Sequence, residues 1–229
     1  METSAGAADR EGELVALAAS FGDVLAAAAE RHDRDGTFVE GSYRTLRDAG
    51  LLAIGVPEEL GGRSATIREV AMVQRELARH CASTALATSM HQHLVAVAAW
   101  RYRRGMPGAE ALLRRVAEER VVLVATGGAD FTRPRGDTTR VAGGYRVNGV
   151  KIFASQSPAG TLLVTMFPYQ DPAQGLRALG MTVPLNADGV RVAVNWDALG
   201  MRGTGSNDVI RSRTCSSPTT TWAPTVPTG

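Results

Sequence analysis

GGYRVNGVKIFAS, residues 143–155, is the stretch whose reading decides the fold. It is rich in β-branched and aromatic residues, opens on a Gly-Gly pair and holds an Asn-Gly pair, so it reads as strand bounded by turn residues. Four further runs share this character: VVLVAT (121–126), TLLVTMF (161–167), LGMTVPL (179–185) and GVRVAVNW (189–196). Nothing before residue 120 resembles them. There Leu14, Leu17, Ala18, Phe21, Leu25 and Ala28 recur at three- and four-residue steps, which predicts one amphipathic helix from Glu11 to His32. A second helix is expected from Gly41 to Ala49, closed by Gly50. LAIGVPEELGG (52–62) reads as a loop by its Pro57 and paired glycines. Val70, Val73 and Leu77 predict a helix over Thr66 to Arg79. A long Ala-rich helix, expected to be buried, follows from Ser83 to Arg103, and Pro107 opens another that ends near Arg120.

The expected fold class is therefore α+β: an N-terminal all-helical domain (1–120) followed by a β-barrel-like or β-sandwich middle domain (121–210). The last 19 residues, RSRTCSSPTTTWAPTVPTG (211–229), fit neither pattern and read as a disordered or loosely attached tail by their Ser, Thr and Pro content.

Composition narrows the function classes. The chain has 229 residues, of which 44% are apolar and 21% charged, with a net charge of +2. That balance gives no basic surface of the kind nucleic acid requires. No run approaches the ~18 apolar residues of a membrane span, and the first residues lack the pattern of a secretory leader. Cys81 and Cys215 form no disulfide framework or metal spacing, which fits a reducing, cytoplasmic home. Walker loops and nucleophile elbows are absent as well. His91 and His93 stand two apart on a helix and point to different faces, so they make no i, i+4 metal pair.

What remains is an ordered set of weaker signals. VPEELGG (56–62) in the helical half, NGVKIFAS (148–155) in a strand and WDALGMRGTGSNDV (196–209) after it follow one another across the helix-to-sheet switch. In that order and spacing the chain resembles the acyl-CoA dehydrogenase family from about residue 10 to residue 210. The resemblance implies FAD, with its isoalloxazine held between a helical and a β domain, and an acyl-CoA or similar small-molecule substrate. It also implies a homo-oligomer and, for a dehydrogenase, an electron-transfer flavoprotein as partner.

Residue by residue, Lys151, Phe153 and Ser155 match the family's Lys-x-aromatic-x-Ser/Thr segment. By that match Phe153 packs on the flavin, while the Ser155 hydroxyl and the backbone around Ala154 bond its polar edge. VATGGAD (124–130) stands where the family has its TEPxxGSD loop, so the backbone of Val124 and Ala125 and the hydroxyl of Thr126 are the implied pyrimidine-edge contacts. The Glu and Pro of that loop are missing, and Ala129 replaces a Ser that often touches the CoA arm, which weakens the acyl-CoA implication. Some flavin monooxygenases of this fold use a histidine of the helical domain near the flavin, which makes His93 a candidate substrate contact. Arg202 in GMRGTGS (200–206) is the other, against its alternative use as an arginine capped by carbonyls. Trp196 reads as core.

No catalytic base is assigned. In the family the base is a Glu of a C-terminal helical domain, and Glu58, Glu59 and Glu76 match non-catalytic segments. Back-translating 211–229 with G/C-rich codons lets a shifted frame read FEDVFVPDDHVGA, which is what the family carries next, so a frameshift is the expectation. The chain alone is then expected to be inactive and to hold flavin weakly. The favoured function is α,β-dehydrogenation of an acyl-CoA in the full-length form. A flavin monooxygenase of the same fold and a non-catalytic fragment that pairs with another subunit are the alternatives.

Overall fold

The computed structural model describes residues 4–211, 220–221 and 226–227. Contacts divide the chain into two units. The first contains the residues up to Val121 together with Asp197–Gly205; the second contains Val122–Trp196 and the residues from Ser206 onward.

The first unit is helical: α1 (Ser4–Ala19), α2 (Gly22–Asp35), α3 (Glu40–Asp48), α4 (Ile67–His80), α5 (Ala82–Tyr102) and α6 (Ala109–Glu118). Single turns of tighter helix at Leu51–Ala53 and Glu58–Leu60 punctuate the loop between α3 and α4. Leu14, Leu25, Leu46, Ile54, Val73 and Leu77 form its core, each fully or almost fully buried; burial of such a side chain contributes about 2 kcal/mol. The single helix expected over Glu11–His32 is in fact two, bent by 50° between Ala19 and Gly22. The cause lies in tertiary contact. A Cβ on Gly22 would meet the His80 ring at 2.4 Å, so the chain turns where only glycine lets α4 approach.

The start of α4 is set locally. Thr66 caps it and forms a reciprocal capping box with Glu69. The Arg10 guanidinium then donates to Glu69 at 2.8 and 3.2 Å, tying α1 to α4. Helix α5 carries few charges because much of its circumference is inside: buried His91 bonds to the Leu52 carbonyl (2.9 Å), and buried Gln92 donates to that of Leu51 (2.8 Å). One face stays outside. Leu86, His93, Val97 and Trp100, spaced by seven, four and three residues, form an exposed stripe, with Arg104 stacked 3.9 Å over the Trp100 ring.

The second unit consists of two sheets around a shared core. One has β1 (Leu123–Ala125) parallel to β4 (Leu162–Asp171), which forms a hairpin with β5 (Gly175–Pro184). The other has the order β2 (Asp137–Val141), β3 (Gly144–Ala154), β7 (Asn207–Arg211), β6 (Val190–Val192). Val147 and Val209 from one sheet pack with Leu163, Leu179 and Met181 from the other. The unit is thus a sandwich, and among the described residues its sheets do not close into a barrel. A short helix, α7 (Gly128–Thr132), interrupts the segment after β1 where no helix was expected. The expected disorder of 211–229 falls largely outside the described residues; the described pieces β8 (Thr220–Thr221) and β9 (Val226–Pro227) pair with β5.

Candidate functional site

The Lys151–Ser155 segment departs from regular strand geometry. Lys151 pairs with Val209 and Ala154 with Asn207, so Ile152 and Phe153 together face one residue of β7 and form a bulge. Phe153 has φ 55°, a left-handed conformation that costs an aromatic residue about 1–3 kcal/mol. Gln156, three residues on, has φ 62°. The double kink turns Phe153 out of the sheet, leaving it 55% exposed. The ring meets Trp196 edge-on, with centroids 6.3 Å apart and planes at 87°. Behind it a Cβ on Gly127 would come within 3.1 Å of the ring, so glycine is what lets that loop close on Phe153.

Lys151 holds this geometry in place. Its ammonium is buried and donates to the carbonyls of Met166 (2.6 Å) and Arg135 (2.8 Å) and to Asp130 Oδ1 (3.2 Å). Three acceptors use all three donors, and Phe167 lies 4.0 Å below the charge. Burial pushes the Lys151 pKa down, while Asp130 pulls it back up. Asp130 belongs to α7, so one buried ion pair fixes both the bulge and the helix after β1.

Hydroxyl groups flank the bulge. Ser155 Oγ and Ser206 Oγ are 2.8 Å apart, and Thr126 Oγ1 lies 2.8 Å from Thr165 Oγ1. Asn207 Oδ1 accepts from the backbone N–H of Asn195 (3.1 Å) and Trp196 (3.0 Å), which places the indole beside Phe153. The structure therefore gathers Phe153, Ala154, Ser155, Val124, Ala125 and Thr126 in one unit. The side chains of Val124, Ala125 and Ala154 are buried, so a ligand can meet these residues only through their backbone. Trp196, read as core, is half-buried against Phe153 instead. Its partnership with Asn207 was missed, and the Trp-Asp and Ser-Asn-Asp pieces of the third motif were the available signal.

His93 and Arg202 belong to the helical unit. His93 lies on the outer stripe of α5, but burial by its neighbours lowers its pKa below the ordinary histidine value, against a smaller upward pull from a backbone bond with Ser89. Arg202 donates to the carbonyls of Asp33 (2.7 Å) and Ala198 (3.2 Å), with Asp197 at 3.7 Å. Its guanidinium thus has the carbonyl-capped use weighed against an anion contact. Among the described residues no group of three metal-ligating side chains occurs.

The chain is a helical unit followed by a two-sheet sandwich, and its residues 10–103 match the acyl-CoA dehydrogenase, N-terminal domain family. The chain belongs to the acyl-CoA dehydrogenase-fold family. It is 32% identical over 206 residues to L-evernosamine nitrososynthase of Micromonospora sp., covering 86% of this chain and 48% of the relative. A crystal structure of KijD3 with FMN and dTDP-3-amino-2,3,6-trideoxy-4-keto-3-methyl-D-glucose superposes with a TM-score of 0.82 at 28% identity, covering 93% of this chain and 54% of KijD3. Cyclohex-1-ene-1-carbonyl-CoA dehydrogenase of Syntrophus aciditrophicus is 28% identical over 196 residues, 81% of this chain and 46% of the relative. The chain spans about half the length of the relatives it matches.

Proposed function

We propose that this chain is the flavin-binding front portion of a flavin-dependent monooxygenase of the acyl-CoA dehydrogenase fold, acting on an amine-bearing small molecule. The observation that carries the reading is Phe153, an exposed aromatic held at positive φ by a buried lysine anchor. Strain of this kind persists where a ligand needs the side chain it displays. A flat heteroaromatic ring with a polar edge fits the groups present: Phe153 for a ring face, Ser155 and Thr126 hydroxyls and the backbone of Val124, Ala125 and Ala154 for the edge.

The choice of oxygenase over dehydrogenase rests on three relatives of 30% identity or above that are nitrososynthases. FMN is favoured over the expected FAD because KijD3 binds FMN. When bound, the flavin would supply the electrons that activate O₂. Ser155, backed by Ser206, donates to or accepts from its polar edge according to which hydroxyl turns. His93 is the candidate substrate contact in the helical unit.

The dehydrogenase reading, with acyl-CoA and an electron-transfer flavoprotein, keeps the support of the 28% identical CoA dehydrogenase. A homo-oligomer suits both.

Flavin fluorescence during titration with FMN and FAD tests the binding. Weak, saturable quenching that disappears in Phe153→Gly is expected; equal quenching by that variant removes Phe153 from the site. Supplying the C-terminal half of a nitrososynthase relative separates the chemistries. Oxygen uptake with reduced FMN and an amino-sugar nucleotide is expected, and anaerobic bleaching by an acyl-CoA would restore the dehydrogenase.

A further inference from the structure

Positive φ at residues other than glycine occurs at five described positions: Ser64, Arg120, Phe153, Gln156 and Met201. Phe153 and Gln156 belong to the bulge already described, whereas Ser64 and Arg120 flank a cavity of about 250 Å³ in the helical unit. This cavity lies among α3, the 50–63 loop and the end of α6. Three arginines line it, Arg47, Arg63 and Arg120, together with Gly50, Gly61 and Gly62.

The charges are unbalanced. Arg120 lies 3.3 Å and Arg47 3.8 Å from the same oxygen, Asp48 Oδ1, and both guanidinium groups are partly exposed. Arg63 makes no ion pair among the described residues, and no carboxylate lines the cavity. Three guanidinium groups against one carboxylate leave two positive charges in excess.

The backbone has been bent to keep them there. Arg120 follows the C-cap of α6 with φ 55°, where helices ordinarily place glycine. An exposed ion pair with Asp48 contributes too little to explain an arginine at that point. The loop carrying Arg63 is rigid: Ser64 N–H donates to the Val56 carbonyl and Ala65 N–H to that of Ile54, both at 2.8 Å, while Ser64 Oγ accepts from Glu58 N–H at 2.9 Å.

We propose that this cavity is a binding site for the phosphate of a small phosphorylated molecule, held by Arg47, Arg63 and Arg120. Guanidinium forks match the phosphate oxygens in pairs, and the excess of two charges matches a phosphate dianion. The surrounding polar backbone and glycine-lined space leave room for a small organic group on the phosphate. The site lies within the helical unit and does not rest on the flavin reading.

Calorimetric titration of the full chain at low ionic strength tests this with two probes, inorganic phosphate and glucose 1-phosphate. Saturable binding of both is expected, at about tenfold or more lower affinity in Arg63→Ala and in Arg120→Gly. Tighter binding of the monoester identifies an organic phosphate as the ligand, and equal binding identifies inorganic phosphate. Arg120→Gly also relieves the backbone, so it should melt no lower than the parent while losing affinity, which separates binding from folding. Arg114→Ala, on α6 but outside the cavity, should bind as the parent does. Absence of saturable binding in the millimolar range, or equal affinity in all three variants, overturns the proposal.

Discussion

Phe153 gives the sharpest test at the scale of single residues. Glycine in its place removes the positive-φ penalty but also the Trp196 contact, so Phe153→Gly should change stability by less than about 1 kcal/mol while abolishing flavin quenching. Chemical denaturation together with flavin titration reads both. Lys151 is the opposite case. Lys151→Met leaves Asp130 charged and buried without its partner, which should cost about 3 kcal/mol, and adding Asp130→Asn should recover part of it. His93 supplies a pH dependence. Its folded pKa lies below the unfolded value, so its contribution is present above about pH 6.5 and is lost as pH falls through the lower folded pKa. Melting temperature should fall from pH 7 toward pH 5, and less so in His93→Gln. Lys151, Phe153 and Ser155 were legible because they occupy one short segment. Trp196 was not, because what exposes it is a hydrogen bond from its backbone N–H to the Asn207 side chain and a ring on a different strand.

Among elements, α4 carries the clearest energetic device. Glu69 closes the capping box with Thr66 and receives Arg10 from α1 while itself buried. Burial pushes its pKa up, but the bonds from Arg10 and Thr66 outweigh that and lower it overall. Glu69→Ala should therefore destabilise by about 3 kcal/mol, combining the lost cap with an orphaned guanidinium, as equilibrium unfolding would show. Because the folded pKa is lowered, this contribution is present above about pH 4.5 and lost as pH falls through the folded pKa; Glu69→Gln should flatten acid unfolding there. Helix existence was readable from spacing, since Val70, Val73 and Leu77 all fall on the buried side of α4. The break before Gly22 was not, because its cause, the His80 ring, lies far along the chain. The bulge in β3 escaped for a similar reason: pairing with β7 defines it, and period-two alternation carries no trace of it.

For the molecule as a whole, the α+β class followed from one change of pattern near residue 121, from three- and four-residue spacing to β-branched runs. What the pattern did not show is that the chain returns to the helical unit for Asp197–Gly205. There Gly203 accepts a hydrogen bond from Val39 N–H at 3.2 Å, and Arg202 donates to the Asp33 carbonyl. A piece spanning 1–121 lacks those partners, and it should melt several degrees below the helical transition of the full chain in a scanning calorimeter. The same excursion bears on how such proteins recombine. A crossover near residue 121 looks like a clean seam between cassettes, yet it would join one parent's helices to another parent's Asp197–Gly205 insert. Chimeras cut there inherit a mismatched keystone, whereas those that carry the nine-residue insert along with the helices keep each module whole.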